Sequence, residues 1–187
     1  MRRLRVFNNV TVDGYFTDSN GDMSFAHAAR ESAEWREFTD QNALSGGVLL
    51  FGRVTYDMMS AFWPTQQAKE MMPVVAERMN NGPKVVFSRT MERVTWSNTQ
   101  LVKGDLVTDV EKMKQVPGPD LVILGSGRIV AQLAEAGLID EFLIAVAPVA
   151  LGKGRTMFEG MKKKLPLKLV SSRAFENGAV FLRYEPA

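Results

Sequence analysis

The chain has 187 residues, 23 basic against 21 acidic, no cysteine and one histidine. That length fits a single domain with its own core. The near-balanced charge argues against a nucleic-acid-binding face, and the shortage of thiols and imidazoles argues against disulfides or a transition-metal site. The longest apolar run, FLIAVAPVALG, is far short of the roughly 20 residues that span a bilayer, and no apolar core follows the basic N-terminus. A soluble cytoplasmic protein with no membrane partner is expected, and the one dense basic run, 153–168, reads as a solvated turn.

In chain order, residues 3–10 (RLRVFNNV) predict a first strand. A long Asp/Gly/Asn/Ser-rich loop follows to about residue 25, a length more common in functional loops than in simple connections. Residues 27–44 predict a helix with Ala28, Trp35 and Phe38 on one face. GGVLLFG (46–52) predicts a short buried strand, RVTYDMMSAFW a helix that stops before Pro64, and 66–79 a helix interrupted at Pro73. PKVVFSRT and TQLVKG predict strands, and LVTDVEKMKQV a helix ended by PGPD. Residues 121–124 predict a strand and 126–136 an amphipathic helix that stops at Gly137. IDEFLIAVAPV predicts another strand, and two late strands flank an Asn-Gly hairpin signal. Alternating strands and helices closed by a hairpin imply one α/β domain, with a central mixed, mostly parallel sheet flanked by helices and a C-terminal antiparallel hairpin.

Three strand ends carry small or polar clusters. Gly125-Ser126-Gly127 joins a strand to a helix, where free amides and the helix dipole favour an anion. Alone it is equally a turn chosen for packing, because it lacks the third glycine of the dinucleotide fingerprint. It is neither a P-loop nor a nucleophile elbow. The strand ending at Gly52 delivers Arg53 and Thr55 in the next helical turn, and a third strand end delivers Ser88, Arg89 and Thr90. Ligands of open α/β sheets bind at the carboxyl ends of strands, and two arginines with hydroxyls suit a phosphate monoester. Together the clusters favour a dinucleotide.

The ordered set T-V-D-G-Y, G-R-x-T-Y, V-F-S-R, L-G-S-G and L-I-D-E-F-x-x-x-V-A-P-V-x-L-G-x-G resembles the dihydrofolate reductase-like superfamily, over about residues 4–184. It is most similar to the branch holding the reductase domain of the bacterial riboflavin-biosynthesis deaminase–reductase. The resemblance implies that fold, bound NADPH and a homodimer joined through the late apolar strands. It implies that Arg53 and Thr55 hold phosphate oxygens, that Ser88 and Arg89, assisted by Thr90, hold the 2′-phosphate, and that Gly125, Ser126, Gly127 and Arg128 cover the diphosphate. The nicotinamide would lie against Val10, Val12 and Asp13.

On the substrate side, Asp13 is the first catalytic and substrate-contacting candidate; it is equally a turn aspartate before glycine. Dihydrofolate reductases carry a carboxylate on the first helix, a few residues after a loop Trp. Here Phe25 stands at the Trp and Arg30 or Glu31 near the carboxylate, a departure that weighs against folate and leaves Glu31 as a second catalytic candidate. Trp63, Tyr56 and Phe158 are candidates to cover a flat ring, each equally a core residue, and His27 is a capping or pocket residue. The expected function is hydride transfer from NADPH to a small planar heterocycle, pterin- or flavin-precursor-like. The alternatives are the 5-amino-6-(5-phosphoribosylamino)uracil reductase of riboflavin biosynthesis, which would need a second phosphate site, and a non-catalytic nucleotide-binding protein. No zinc deaminase signature accompanies the chain.

Overall fold

The computed structural model describes residues 1–26 and 32–187. The predicted helix start at 27–31, with His27, Arg30 and the catalytic candidate Glu31, lies outside the described residues. Strand β1 (Leu4–Thr11) is followed by β2 (Tyr15–Thr17), α1 (Ala33–Leu44), β3 (Val48–Gly52), α2 (Arg53–Phe62), α3 (Gln66–Met71), α4 (Pro73–Asn81), β4 (Lys84–Phe87) and β5 (Thr99–Val102). Then come α5 (Leu106–Gln115), β6 (Leu121–Leu124), α6 (Gly127–Glu135), β7 (Glu141–Ala147), β8 (Arg155–Thr156), β9 (Leu167–Ala174) and β10 (Val180–Pro186).

Eight strands form one sheet in the order β5-β4-β3-β6-β1-β7-β10-β9. Pairing is parallel from β5 through β7, and β10 runs antiparallel to both β7 and β9. The apolar runs VLLFG, KVVF and LVIL are those of strands covered on both faces. One face holds the main core, where Leu4, Val6, Leu50 and Ile123 meet Val110 of α5 and Ile129, Val130 and Leu133 of α6. The opposite face holds a second cluster built on Leu49, Phe51 and Val86 with Tyr56, Trp63, Ala76 and Met79. Trp35 of α1 packs edge-on against Phe175, with ring centroids 4.8 Å apart, beside Ala145 and Ala179.

Four details differ from the sequence expectation. The long early loop contains β2, which pairs antiparallel with β8 in a separate two-stranded sheet. The 66–79 stretch is two helices, because Pro73 lacks the N–H that would continue α3 and instead begins α4 at its first position. Strand β4 stops at Phe87, so Ser88, Arg89 and Thr90 lie in the turn beyond it. Ile139 and Asp140 precede β7, where the Asp140 carboxylate accepts from the Leu4 amide at 2.6 Å and the Lys114 ammonium at 2.5 Å.

Lys84 is 1% exposed at the start of β4. Its ammonium donates to the carbonyls of Met79, Asn80 and Gly82 and lies 4.6 Å from the Trp96 ring. Burial, with the nearby charge of Arg78, lowers its pKa to about 8. It closes the C-terminal end of α4, where carbonyls lack helical partners.

Candidate active site

Strand β6 is inserted between β1 and β3, so the chain moves outward in both directions from this point of the sheet. The carboxyl ends of β4, β3, β6 and β1 lie side by side on one edge, and such reversals are where open α/β sheets form a ligand crevice.

The β3–α2 and β6–α6 turns are locked together at this edge. The Gly52 amide donates to the Ser126 hydroxyl at 3.0 Å, and the Ser126 amide donates to the Thr55 hydroxyl at 3.1 Å. From β1, the Asn8 carboxamide accepts from the Gly125 amide at 2.8 Å and donates to the Gly125 carbonyl at 3.2 Å. Ser126 is held at φ 58, ψ 54, a left-handed conformation that costs a non-glycine residue free energy and persists where surrounding bonds fix it. Gly125 has φ +66, and a Cβ there would come 2.9 Å from Cγ2 of Thr55.

These bonds change the expected roles. The Gly125 and Ser126 amides are used inside the protein. Among the described residues, the Gly127 and Arg128 amides, at the start of α6, have no protein acceptor. A Cβ on Gly127 would come 2.9 Å from Cε1 and Cζ of Phe16, so this glycine admits the early loop against α6. Thr55 is buried and keeps its hydroxyl proton to donate. Arg53 pairs with Asp57 at 3.2 Å with both side chains about half exposed, a surface pair that is easily exchanged. Arg89 and Arg128 are exposed. Ser88 accepts from the Met91 amide at 3.0 Å and lies 3.5 Å from the Thr90 hydroxyl. Val12 is 67% exposed beyond the end of β1.

Asp13 is held by protein partners. Its carboxylate accepts from the Thr11 hydroxyl at 2.5 Å and from the Gly152 amide at 2.7 Å, and both oxygens accept from Leu151. The Thr11 hydroxyl first, then these amides, hold its carboxyl below the ordinary carboxylate range. A carboxylate so held is ionised near pH 7 and has no proton to donate. Asp13 is a clamp that ties the end of β1 to the 151–152 turn.

On the sheet face beneath α1, α2 and α4 lies a cleft of about 360 Å³, within the usual range for small-molecule sites. Phe7 and Asn9 of β1, Val122 and Leu124 of β6, and Leu143 of β7 line it from the sheet. Trp35, Phe62, Trp63 and five of the chain's 11 methionines (Met23, Met58, Met59, Met72 and Met79) also line it. Trp63 is 7% exposed and its indole N–H points at the Met59 sulfur, 3.1 Å away.

The other aromatic candidates lie elsewhere. Tyr56 is 3% exposed, and its hydroxyl accepts from the Thr95 and Trp96 amides, both at 3.0 Å. It anchors the 91–96 loop from the core. Phe158 packs on the main core, its ring 5.9 Å from that of Phe142. Phe25 is buried and is not among the residues lining the cleft, although its neighbours Ser24 and Ala26 are. Asn8 and Asn9 were not singled out in the sequence, because polar residues inside a strand carry no periodic signal of their own.

Residues 2–181 match the RibD C-terminal domain family. The chain belongs to that family. Among curated relatives, the chain is 27% identical over 184 residues to YyaP of Bacillus subtilis (strain 168), an uncharacterized protein, covering 98% of this chain and 94% of that one. Among solved structures it is similar to a protein of Shewanella sp. PV-4 named for riboflavin biosynthesis, with TM-score 0.69, 22% identity and 99% of each chain covered. It is also similar to the Thermotoga maritima diaminohydroxyphosphoribosylaminopyrimidine deaminase/5-amino-6-(5-phosphoribosylamino)uracil reductase, with TM-score 0.71 and 15% identity. All of this chain is covered there, but it spans 57% of that bifunctional protein. At these identities the two structures establish the RibD-type reductase fold. Among the described residues, no helix is long and apolar enough to cross a membrane and no group of three His, Cys, Asp or Glu could hold a metal ion.

Proposed function

We propose that the protein is an NADPH-dependent reductase of the riboflavin type, acting on a small planar heterocycle. Family membership supports the reductase activity. The observation that carries the cofactor reading is the joining of two strand-end turns to each other and to β1 on one edge of the sheet, through Ser126, Thr55, Gly52 and Asn8. That lock leaves the Gly127 and Arg128 amides, the Thr55 hydroxyl proton and the side chains of Arg53 and Arg128 as donors for a diphosphate. Arg89, Ser88 and Thr90 stand beyond the adjacent strand as donors for a 2′-phosphate. The donor set, all cations, amides and hydroxyls, fits a polyanionic dinucleotide.

Bound there, NADPH supplies the hydride, and the protein supplies binding and orientation. Val12 and the Asp13 clamp border the end of β1 where the nicotinamide face would meet the cleft. The substrate ring lies in the cleft between Trp63, Phe62 and the methionine thioethers. Asp13 fixes the loop and does not transfer the proton. In this reading the protein is cytoplasmic and forms a homodimer through its late strands. Leu169 and Val170 are 48% and 44% exposed on β9, and every residue of β9 after Leu167 is exposed.

Calorimetric titration of the purified protein with NADPH and NADH tests the cofactor assignment. Tight NADPH and weak NADH are expected; binding of neither would remove the reductase reading. Sedimentation that shows only monomer at micromolar concentration would remove the dimer.

A further inference from the structure

Two adjacent asparagines on β1 have opposite fates. Asn8 is 2% exposed and its carboxamide is fully engaged, with both backbone groups of Gly125 and, at 3.0 Å, the Met157 sulfur. Asn9 points to the other side of the sheet, as strand alternation requires, and lines the cleft. Among the described residues its carboxamide has no protein partner; the residue opposite it is Ala145 of β7, and the preceding residue on its face, Phe7, is flanked by Leu124 and Leu143, all apolar. The last β1–β6 pair is Phe7 with Leu124, so Asn9 lies past that pair, level with the Gly125–Ser126 turn where the cofactor edge and the cleft meet.

A carboxamide set in an apolar floor costs desolvation unless something hydrogen-bonds it. It presents one donor and one acceptor in a plane, the pattern that reads an adjacent donor and acceptor on a flat ring. We infer that Asn9 determines substrate specificity by pairing with an amide edge, N–H beside C=O, of a neutral heterocycle lying on the methionine and Trp63 walls. Thioethers contact aromatic rings favourably and adapt to their outline, which suits a flat ring held at one edge. This inference rests on the reductase reading only in taking the cleft as the substrate site.

The test uses 1-methyllumichrome, whose ring carries such an edge only at N3–H, and its 1,3-dimethyl derivative, in which that N–H is blocked. Binding is followed by ring fluorescence with NADPH present. The wild-type protein is expected to bind 1-methyllumichrome about tenfold more tightly than the dimethylated ring, the effect of one well-placed hydrogen bond. Asn9→Leu, similar in size and without polar groups, should bind both rings equally and leave NADPH affinity unchanged. Asn9→Ala, which lacks the acceptor that meets the ring N–H, should lose the discrimination as well and serves if the leucine variant does not fold. Equal binding of the two rings by wild type, or discrimination kept in the variants, overturns the inference. If neither ring binds while NADPH does, the inference falls and the reductase reading stands. If NADPH does not bind but Asn9-dependent discrimination persists, the reductase reading falls and the inference stands.

Discussion

The Ser126 amide donates to the Thr55 hydroxyl at 3.1 Å, joining two turns 71 residues apart in sequence. The same serine accepts from Gly52 through its own hydroxyl, so each turn supplies the other's missing partner. Thr55→Val keeps the shape and leaves the buried Ser126 amide without an acceptor. It should destabilise the protein by about 1–3 kcal/mol, the cost of an unsatisfied buried donor, and weaken NADPH binding. Urea unfolding read beside a cofactor titration checks both effects; unchanged stability would mean the turns hold without this bond.

Arg89 stands beyond β4; the Asp105 carboxyl is held below its ordinary range mainly by the Thr108 amide and hydroxyl, with a smaller contribution from the Arg89 charge. Arg89→Ala should weaken NADPH about tenfold and leave NADH almost unchanged, since only the former carries the 2′-phosphate. Equal losses for the two cofactors, measured by calorimetry, would move the 2′-phosphate elsewhere.

Gly127 is tightly packed by Phe16. Gly127→Ala should cost about 1–3 kcal/mol through overpacking, and adding Phe16→Leu should recover most of it. A double-mutant cycle in urea reads the coupling. Additive effects would show that the loop is not held by this contact.

Asp13 has a folded pKa below its unfolded one. Its contribution is therefore fully present above the unfolded value of about 3.9 and is lost as pH falls through the lower folded value. Asp13→Asn should be less stable at pH 7 and lose less stability between pH 5 and pH 2. Asp105 and Asp120 shift in the same direction, so a residual acid slope remains. Unfolding curves at stepped pH check the difference. If turnover at neutral pH is unchanged while stability drops, the clamp role is the whole of its function.

Much of this was legible in advance, for identifiable reasons. VLLFG, KVVF and LVIL announce buried strands because apolar runs of that length, bounded by turn residues, have few other uses. The Gly-Ser-Gly turn and the Arg53 and Arg89 clusters stood out because small and charged residues at strand ends are local signals. Strands β2 and β8, three and two residues long, are too short to show a period. Tyr56 could not be sorted into core or cleft by residue type; its partners are amides 39 and 40 residues away. The partners of Asp13 were hidden for the same reason, since the amides it clamps belong to residues 151 and 152. Asn8 and Asn9 look alike in FNNV and both border the cleft; only the pleat of β1 sends the carboxamide of the first to the Gly125 turn and that of the second to the opposite face.

Within the sheet, the strand that ends up between β6 and β7 is also the first to be synthesised. β1 is flanked by β6 and β7, with Leu4 opposite Leu121 and Arg5 opposite Glu141. At ribosomal rates of 5–20 residues per second, about 6–23 s separate Leu4 from Leu121. Throughout that interval both edges of β1 lack their native neighbours. The nascent chain therefore carries β1 without its sheet neighbours until β6 emerges, and the cofactor edge and the cleft floor, which meet at Asn8 and Asn9, come into being together only then.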